Sequence, residues 1–72
     1  MKQKIIDILL GIVGKGIPVY GNSHIKNDLG MTSLEMLLFV TKLESEFGCD
    51  IPINEVIKWN VVDDVEKYLG SR

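Results

Sequence analysis

Thr32-Ser33-Leu34-Glu35 is the stretch whose residue types and spacing could do chemistry. Thr32 is a good helix N-cap and Glu35 stands three residues on, the capping-box spacing in which each side chain satisfies an orphan amide of the first turn. Such a cap contributes about 1 kcal/mol. It makes Ser33 the first helical residue, beside the positive end of the helix dipole, where a phosphate attached to its hydroxyl would be favoured. Ser33 is therefore a candidate attachment point for an anionic group. Its plain alternative is a small polar residue at a helix start.

No other residues form a catalytic pattern. Gly11-Ile12-Val13-Gly14-Lys15-Gly16 has the glycines and lysine of a phosphate loop but neither its spacing nor the Ser or Thr after the lysine, so it reads as a helix end. His24 has no nucleophile motif near it and takes a loop role; catalysis by it is the remote alternative. Cys49, just past a helix end, reads as a half-buried small residue rather than a reactive thiol. One cysteine and one histidine give neither an internal disulfide nor a metal site. Glu35, Glu44, Glu46 and Glu55 sit among ordinary amphipathic-helix neighbours and take solvated or partner-facing positions. Trp59 is placed in the core or as a hydrophobic lid.

The elements that must hold Ser33 follow from hydrophobic period. Ile5, Leu9 and Ile12 recur at helical spacing over Lys2 to Val13, with Ile6, Leu10 and Val13 beside them, until Gly14, Gly16 and Pro18 stop the helix. A long connection from Lys15 to Met31 follows; loops of this length are functional or pinned by buried residues, here Ile17, Val19, Ile25 and Leu29. A second helix is predicted from Ser33 to Phe47, with Gly48 as its stop. It is apolar over more than half its circumference, so it is broadly buried or keeps surface for a partner. Asn54 to Lys58 fits one short turn with Val56 and Ile57 inward. Asn60 then caps a last helix, Val61 to Leu69, whose Val61, Val62, Val65 and Leu69 form the buried stripe, and Gly70-Ser71-Arg72 frays.

Seventy-two residues predict a single domain around one small core, and 46% hydrophobic with 25% charged residues is the balance of a folded chain. The apolar run from Ile8 to Val13 is too short to span a bilayer, and with Asp7 before it and no small-residue cleavage site after it the start does not read as a signal peptide. Charge is unevenly placed: four lysines face two aspartates up to Thr32, and four cations face eight carboxylates from Ser33 onward. The acidic second half argues against nucleic acid and for basic partner surfaces. The absence of disulfides points to a reducing cytoplasm.

Asp28-Leu29-Gly30-Met31-Thr32-Ser33-Leu34, then Leu43-Glu44-Ser45-Glu46-Phe47, then Ile51-Pro52, closely resembles the acyl carrier protein family. The resemblance extends over nearly the whole chain, since the early helix, long loop, short third helix and final helix occur in the family's order. It implies an all-α four-helix bundle of three main helices and one short one with a long first loop. It also implies that Ser33 receives covalent 4'-phosphopantetheine from coenzyme A through a phosphopantetheinyl transferase. Such a carrier is not an enzyme; it is a monomer that holds acyl cargo, for a fatty acid, lipid or polyketide pathway, and presents it to acyl-loading and acyl-processing enzymes. Tethering raises the local concentration each partner meets. By the resemblance, Phe39, Val40, Leu43, Phe47, Ile51, Ile57 and Val65 occupy the positions that shelter an acyl chain, and core packing alone is the other reading of them. Thr32, Leu34, Glu35, Met36, Leu37, Leu38 and Thr41 fall on the partner-binding face.

Two departures from the family pattern stand out. Thr32 replaces the aspartate before the serine, which keeps a cap but removes a negative charge that helps engage the modifying enzyme. Leu38, Lys42 and Ser45 interrupt the acidic run of the second helix, which implies a more apolar, less salt-sensitive partner surface and a specialised carrier. The alternatives are an unmodified carrier-fold module that binds a partner through Met36, Leu37 and Leu38, and a peptidyl or aminoacyl carrier.

Overall fold

A computed structural model describes residues 1–14 and 16–71. It contains α1 (Lys2–Val13), α2 (Ser33–Phe47), α3 (Ile53–Val56) and α4 (Val62–Gly70). Among the described residues there is no strand, only an isolated antiparallel bridge between His24 and Val61. The architecture is the all-α, four-helix arrangement expected, with α1 packed against both α2 and α4.

The predicted stripes make the core. Ile5 and Leu9 of α1, Phe39 and Leu43 of α2, and Val62 and Val65 of α4 are all fully buried. Trp59 joins them from the α3–α4 link, edge-on to Phe39 at 6.4 Å and tilted against Tyr68 at 6.1 Å. It is a core residue, not a lid. Exposed ion pairs from Lys2 to Asp63 and Glu66, and from Lys4 to Glu46, add modest ties from α1 to α4 and α2.

The long first connection is held rather than slack. Ile25, Leu29 and Met31 are buried, and Ile17 and Val19 are partly buried against the core, while Lys15 lies outside the described residues. The backbone pairs with the approach to α4: Ile25 N–H donates to Asn60 O at 2.8 Å, Val62 N–H to Ser23 O at 3.2 Å, and Asp63 N–H to Gly21 O at 2.8 Å. Ser23 is buried, and its hydroxyl accepts from Tyr20 N–H at 2.8 Å. These bonds answer the demand that buried backbone groups find partners.

Three expectations need correction. First, α3 spans Ile53–Val56 rather than Asn54 to Lys58, because Pro52, with φ −69°, serves as its N-cap. Val56 is buried as expected, but Ile57 is 72% exposed. The short-range bonds Lys58 N–H to Glu55 O and Trp59 N–H to Val56 O turn the chain so that Val56 and Trp59, three apart, face inward instead. Second, Asn60 does not cap α4. Val61 is the N-cap, and the Asp64 carboxylate reaches back to accept from the N–H groups of Asn60 at 2.8 Å and Val61 at 3.0 Å. The hydrogen bonds from Val61 and then Asn60 hold the Asp64 carboxyl below its ordinary value. Val61 is accordingly only half-buried, and the α4 stripe is Val62, Val65 and Leu69. Third, Gly70 is the last helical residue rather than part of a frayed end; Arg72 lies outside the described residues.

Candidate functional site

The chain reaches Ser33 through a turn at Gly30, whose φ of +65° is the left-handed region that suits a residue without a Cβ. Buried Leu29 and Met31 anchor the two sides of that turn. Thr32 is extended, at φ −78° and ψ 170°, and both halves of the capping box form. Thr32 Oγ1 accepts from Glu35 N–H at 3.2 Å, and Glu35 Oε1 accepts from Thr32 N–H at 2.9 Å. At the other end, Gly48 adopts φ +63° and closes α2.

Because Thr32 supplies the cap, the Ser33 hydroxyl is left over. It is exposed at the first position of α2 and takes part in no hydrogen bond among the described residues. Ser33 borders a groove of about 760 Å³ between α2 and α3, floored by Met31, Met36, Val40, Ile51 and Val56. Ile53 of α3 and Ile57, just past its end, wall it on the other side, and Lys26 borders it from the first loop. The groove runs along α2 to Glu44, eleven residues on, or about 16 Å of helix. Glu44 Oε2 accepts from Ile51 N–H at 2.8 Å and so fixes the α2–α3 link.

The partner-face residues separate into two sets. Thr32, Met36, Leu37 and Thr41 border the groove, whereas Leu34, Glu35 and Leu38 do not. Leu34 and Leu37 are strongly exposed and Leu38 is half-exposed; Glu35 and Met36 are partly buried. The Thr41 hydroxyl donates to Leu37 O at 2.9 Å. Of the acyl-shelter residues, Val40, Ile51 and Ile57 line the groove. Phe39, Leu43 and Val65 are fully buried in the core, and Phe47 packs against it; none of these four borders the groove. Lys26, Met31, Ile53 and Val56 border it without having been singled out as site residues. Of these, only Ile53 carried a signal, as the first of an apolar pair four apart with Ile57.

The other candidates have structural occupations. His24 N–H donates to Asp28 Oδ2 at 2.8 Å and its Nδ1 accepts from Asn27 N–H at 3.1 Å, so His24 holds a turn. Cys49 packs partly buried against the core. Glu35, Glu44 and Glu46 are engaged by Thr32, Ile51 and Lys4 rather than solvated alone or free for a partner. Among the described residues no group of three or more metal-ligating side chains occurs, and no helix is long and apolar enough to cross a membrane.

With that geometry in view, a family profile described as "Phosphopantetheine attachment site" matches residues 3–69. The chain belongs to that family. The family is defined by covalent 4'-phosphopantetheine, and its members are carriers, not enzymes, that work with a phosphopantetheinyl transferase and acyl-handling enzymes. A solved structure described as a candidate acyl carrier protein from Mycobacterium tuberculosis superposes with a TM-score of 0.90. It is 24% identical, and the match covers 97% of this chain and 95% of that one, which establishes the shared fold. The residues of this carrier fit the group. An exposed serine hydroxyl, free of the helix cap, stands at a helix N-terminus suited to phosphate and beside a groove of ligand size.

Proposed function

We propose that Ser33 is the attachment residue and that the chain, acting as one carrier domain, is an acyl carrier serving a specialised fatty acid, lipid or polyketide pathway. The observation that carries this reading is the uncommitted Ser33 hydroxyl on the border of the apolar α2–α3 groove. Ser33 Oγ supplies the oxygen that displaces the nucleotide half of coenzyme A at phosphorus, giving up its proton to the transferase. The first-turn amides and dipole of α2 then favour the resulting phosphodiester. When attached, the group supplies a thiol on a flexible arm, on which cargo is held as a thioester.

Val40, Ile51 and Ile57, with Met36 and Val56, offer that cargo an apolar surface in the groove. The filled core formed by Phe39, Leu43 and Val65 leaves the groove as the better shelter. Leu34, Leu37 and Leu38 on α2, with Ile53 on α3 and Ile57 just past its end, are exposed apolar residues suited to enzymes that dock by burial more than by charge. The carrier works as a monomer in the cytoplasm and needs no nucleic acid.

A second reading is an unmodified interaction module that binds a partner through Met36, Leu37 and Leu38. Thr32 in the aspartate position and the exposure of Leu37 favour it. The deciding experiment incubates the protein with coenzyme A and a broad-specificity phosphopantetheinyl transferase, then with its host's own transferase, and weighs the product. A gain of one phosphopantetheine that Ser33→Ala abolishes supports the carrier. No gain with either enzyme, with stoichiometric binding to a partner, supports the module.

A further inference from the structure

Among the described residues, Lys26 is the one cation bordering the groove that Ser33 also borders. Its backbone belongs to a turn on which several hydrogen bonds converge. Within that turn, His24 N–H donates to Asp28 Oδ2, and His24 O accepts from both Asp28 N–H at 2.9 Å and Leu29 N–H at 3.2 Å. His24 Nδ1 accepts from Asn27 N–H, and Ile25, 1% exposed, ties the turn to Asn60. Lys26 thus stands on rigid backbone while its own side chain stays exposed.

Carboxylates of the turn and of α2 accept backbone N–H groups, which orients them and leaves their charge in place. Asp28 holds His24 N–H, Glu35 holds Thr32 N–H at 2.9 Å, and Glu44 holds Ile51 N–H at 2.8 Å. No ion pair among the described residues involves Lys26, whereas Lys2 and Lys4 are both paired. Thr32 adds no charge at the cap of α2. Among the described residues the groove border therefore has one ammonium, Lys26, which forms no ion pair even though the Glu44 carboxylate borders the same groove, and modification of Ser33 would add a phosphodiester to that border.

We propose that Lys26 is the counter-ion for the phosphodiester on Ser33, holding the root of the arm against the groove. The proposal rests on Ser33 being the attachment site. Lys26 here is a positioning residue: it forms and breaks no bond, and it restrains the arm where it leaves α2.

The test compares the unmodified and modified full-length protein, each checked by intact mass, for the natural sequence and for Lys26→Met, Lys26→Gln and Lys26→Arg. Two readouts are taken: backbone amide chemical shifts and thermal midpoints at low and high salt. The natural protein should show shifts on modification at Ser33 and Leu34 and also across His24 to Leu29. Its midpoint should rise by about 2–5 °C on modification at low salt, with the gain shrinking as salt is added. Lys26→Met and Lys26→Gln should keep the unmodified midpoint and the Ser33 shifts but lose the turn shifts and most of the gain, and Lys26→Arg should retain both. Turn amides that do not move in the modified natural protein, or that move equally in Lys26→Met, overturn the role of Lys26 while leaving Ser33 in place. Absence of the mass gain in the natural protein with both transferases overturns the attachment site and the counter-ion with it.

Discussion

Removing the Thr32 cap tests the base of the site. In Thr32→Ala, Glu35 N–H loses its acceptor at 3.2 Å, while the bond from Thr32 N–H to Glu35 Oε1 at 2.9 Å persists, because it needs only backbone at position 32. Half the box is therefore lost. N-cap substitutions of this kind cost about 0.5–2 kcal/mol, and the exposure of this box sets the expectation near 1 kcal/mol. For a chain of this size 1 kcal/mol corresponds to a fall of about 4–8 °C in the thermal midpoint. Thr32→Asp should restore the cap and add about 0.3–1 kcal/mol above pH 5, since its carboxylate meets the positive end of α2. The same variant should be modified faster, as it returns the charge that typical family members present to the transferase. Denaturant unfolding of the three proteins, with a time course of mass gain, reads both effects. If Thr32→Ala unfolds at the same midpoint as the natural protein, the cap does not hold the start of α2. A Thr32→Asp variant that is stabilised but modified no faster separates the cap from transferase recognition and refutes the charge argument.

Three further outcomes follow from the packing and the charges. Phe39, fully buried at the centre of the core and stacked edge-on with Trp59, should cost about 3–5 kcal/mol as Phe39→Ala, enough to unfold much of so small a domain; circular dichroism checks it. Asp64 has a folded-state pKa below its unfolded value near 3.8, so its stabilising contribution is complete above that value and is lost as pH falls through the folded one. Asp64→Ala should lower the neutral-pH midpoint and flatten the acid limb of the stability curve below about pH 4, while an unchanged limb would contradict the capping role. Leu37→Glu, at a 62% exposed position, should leave stability within about 0.5 kcal/mol but weaken partner binding and make the residual binding salt-dependent. Titration calorimetry at two salt concentrations reads that change.

Local signals were legible in the sequence and distant ones were not. The Thr-x-x-Glu box and the Gly48 stop involve only neighbours in the chain, so both ends of α2 could be read directly. α1 was legible because two apolar stripes ended at Gly14. Ile57 was misjudged because a four-residue helix has too few positions for its period to declare a face. Asn60 has the usual N-cap chemistry, yet Asp64 does the capping from N3, and Asn60 O is instead paired with Ile25 N–H across the fold. The same difficulty divided the acyl-shelter residues. α2 is apolar over more than half its circumference, so nothing local tells Val40, beside the groove, from Phe39 and Leu43, inside the core. Lys26 carried no signal at all, because its place on the border of the groove depends on a turn pinned to the approach of α4.

The central claim is the identity of the attachment residue, and the most direct measurement is peptide mapping by tandem mass spectrometry of the protein purified from its own host. The chain offers four serines, Ser23, Ser33, Ser45 and Ser71. The account predicts phosphopantetheine on the peptide containing Ser33 and on no other. Modification of Ser23, Ser45 or Ser71, or a wholly unmodified protein beside an active host transferase, would contradict it.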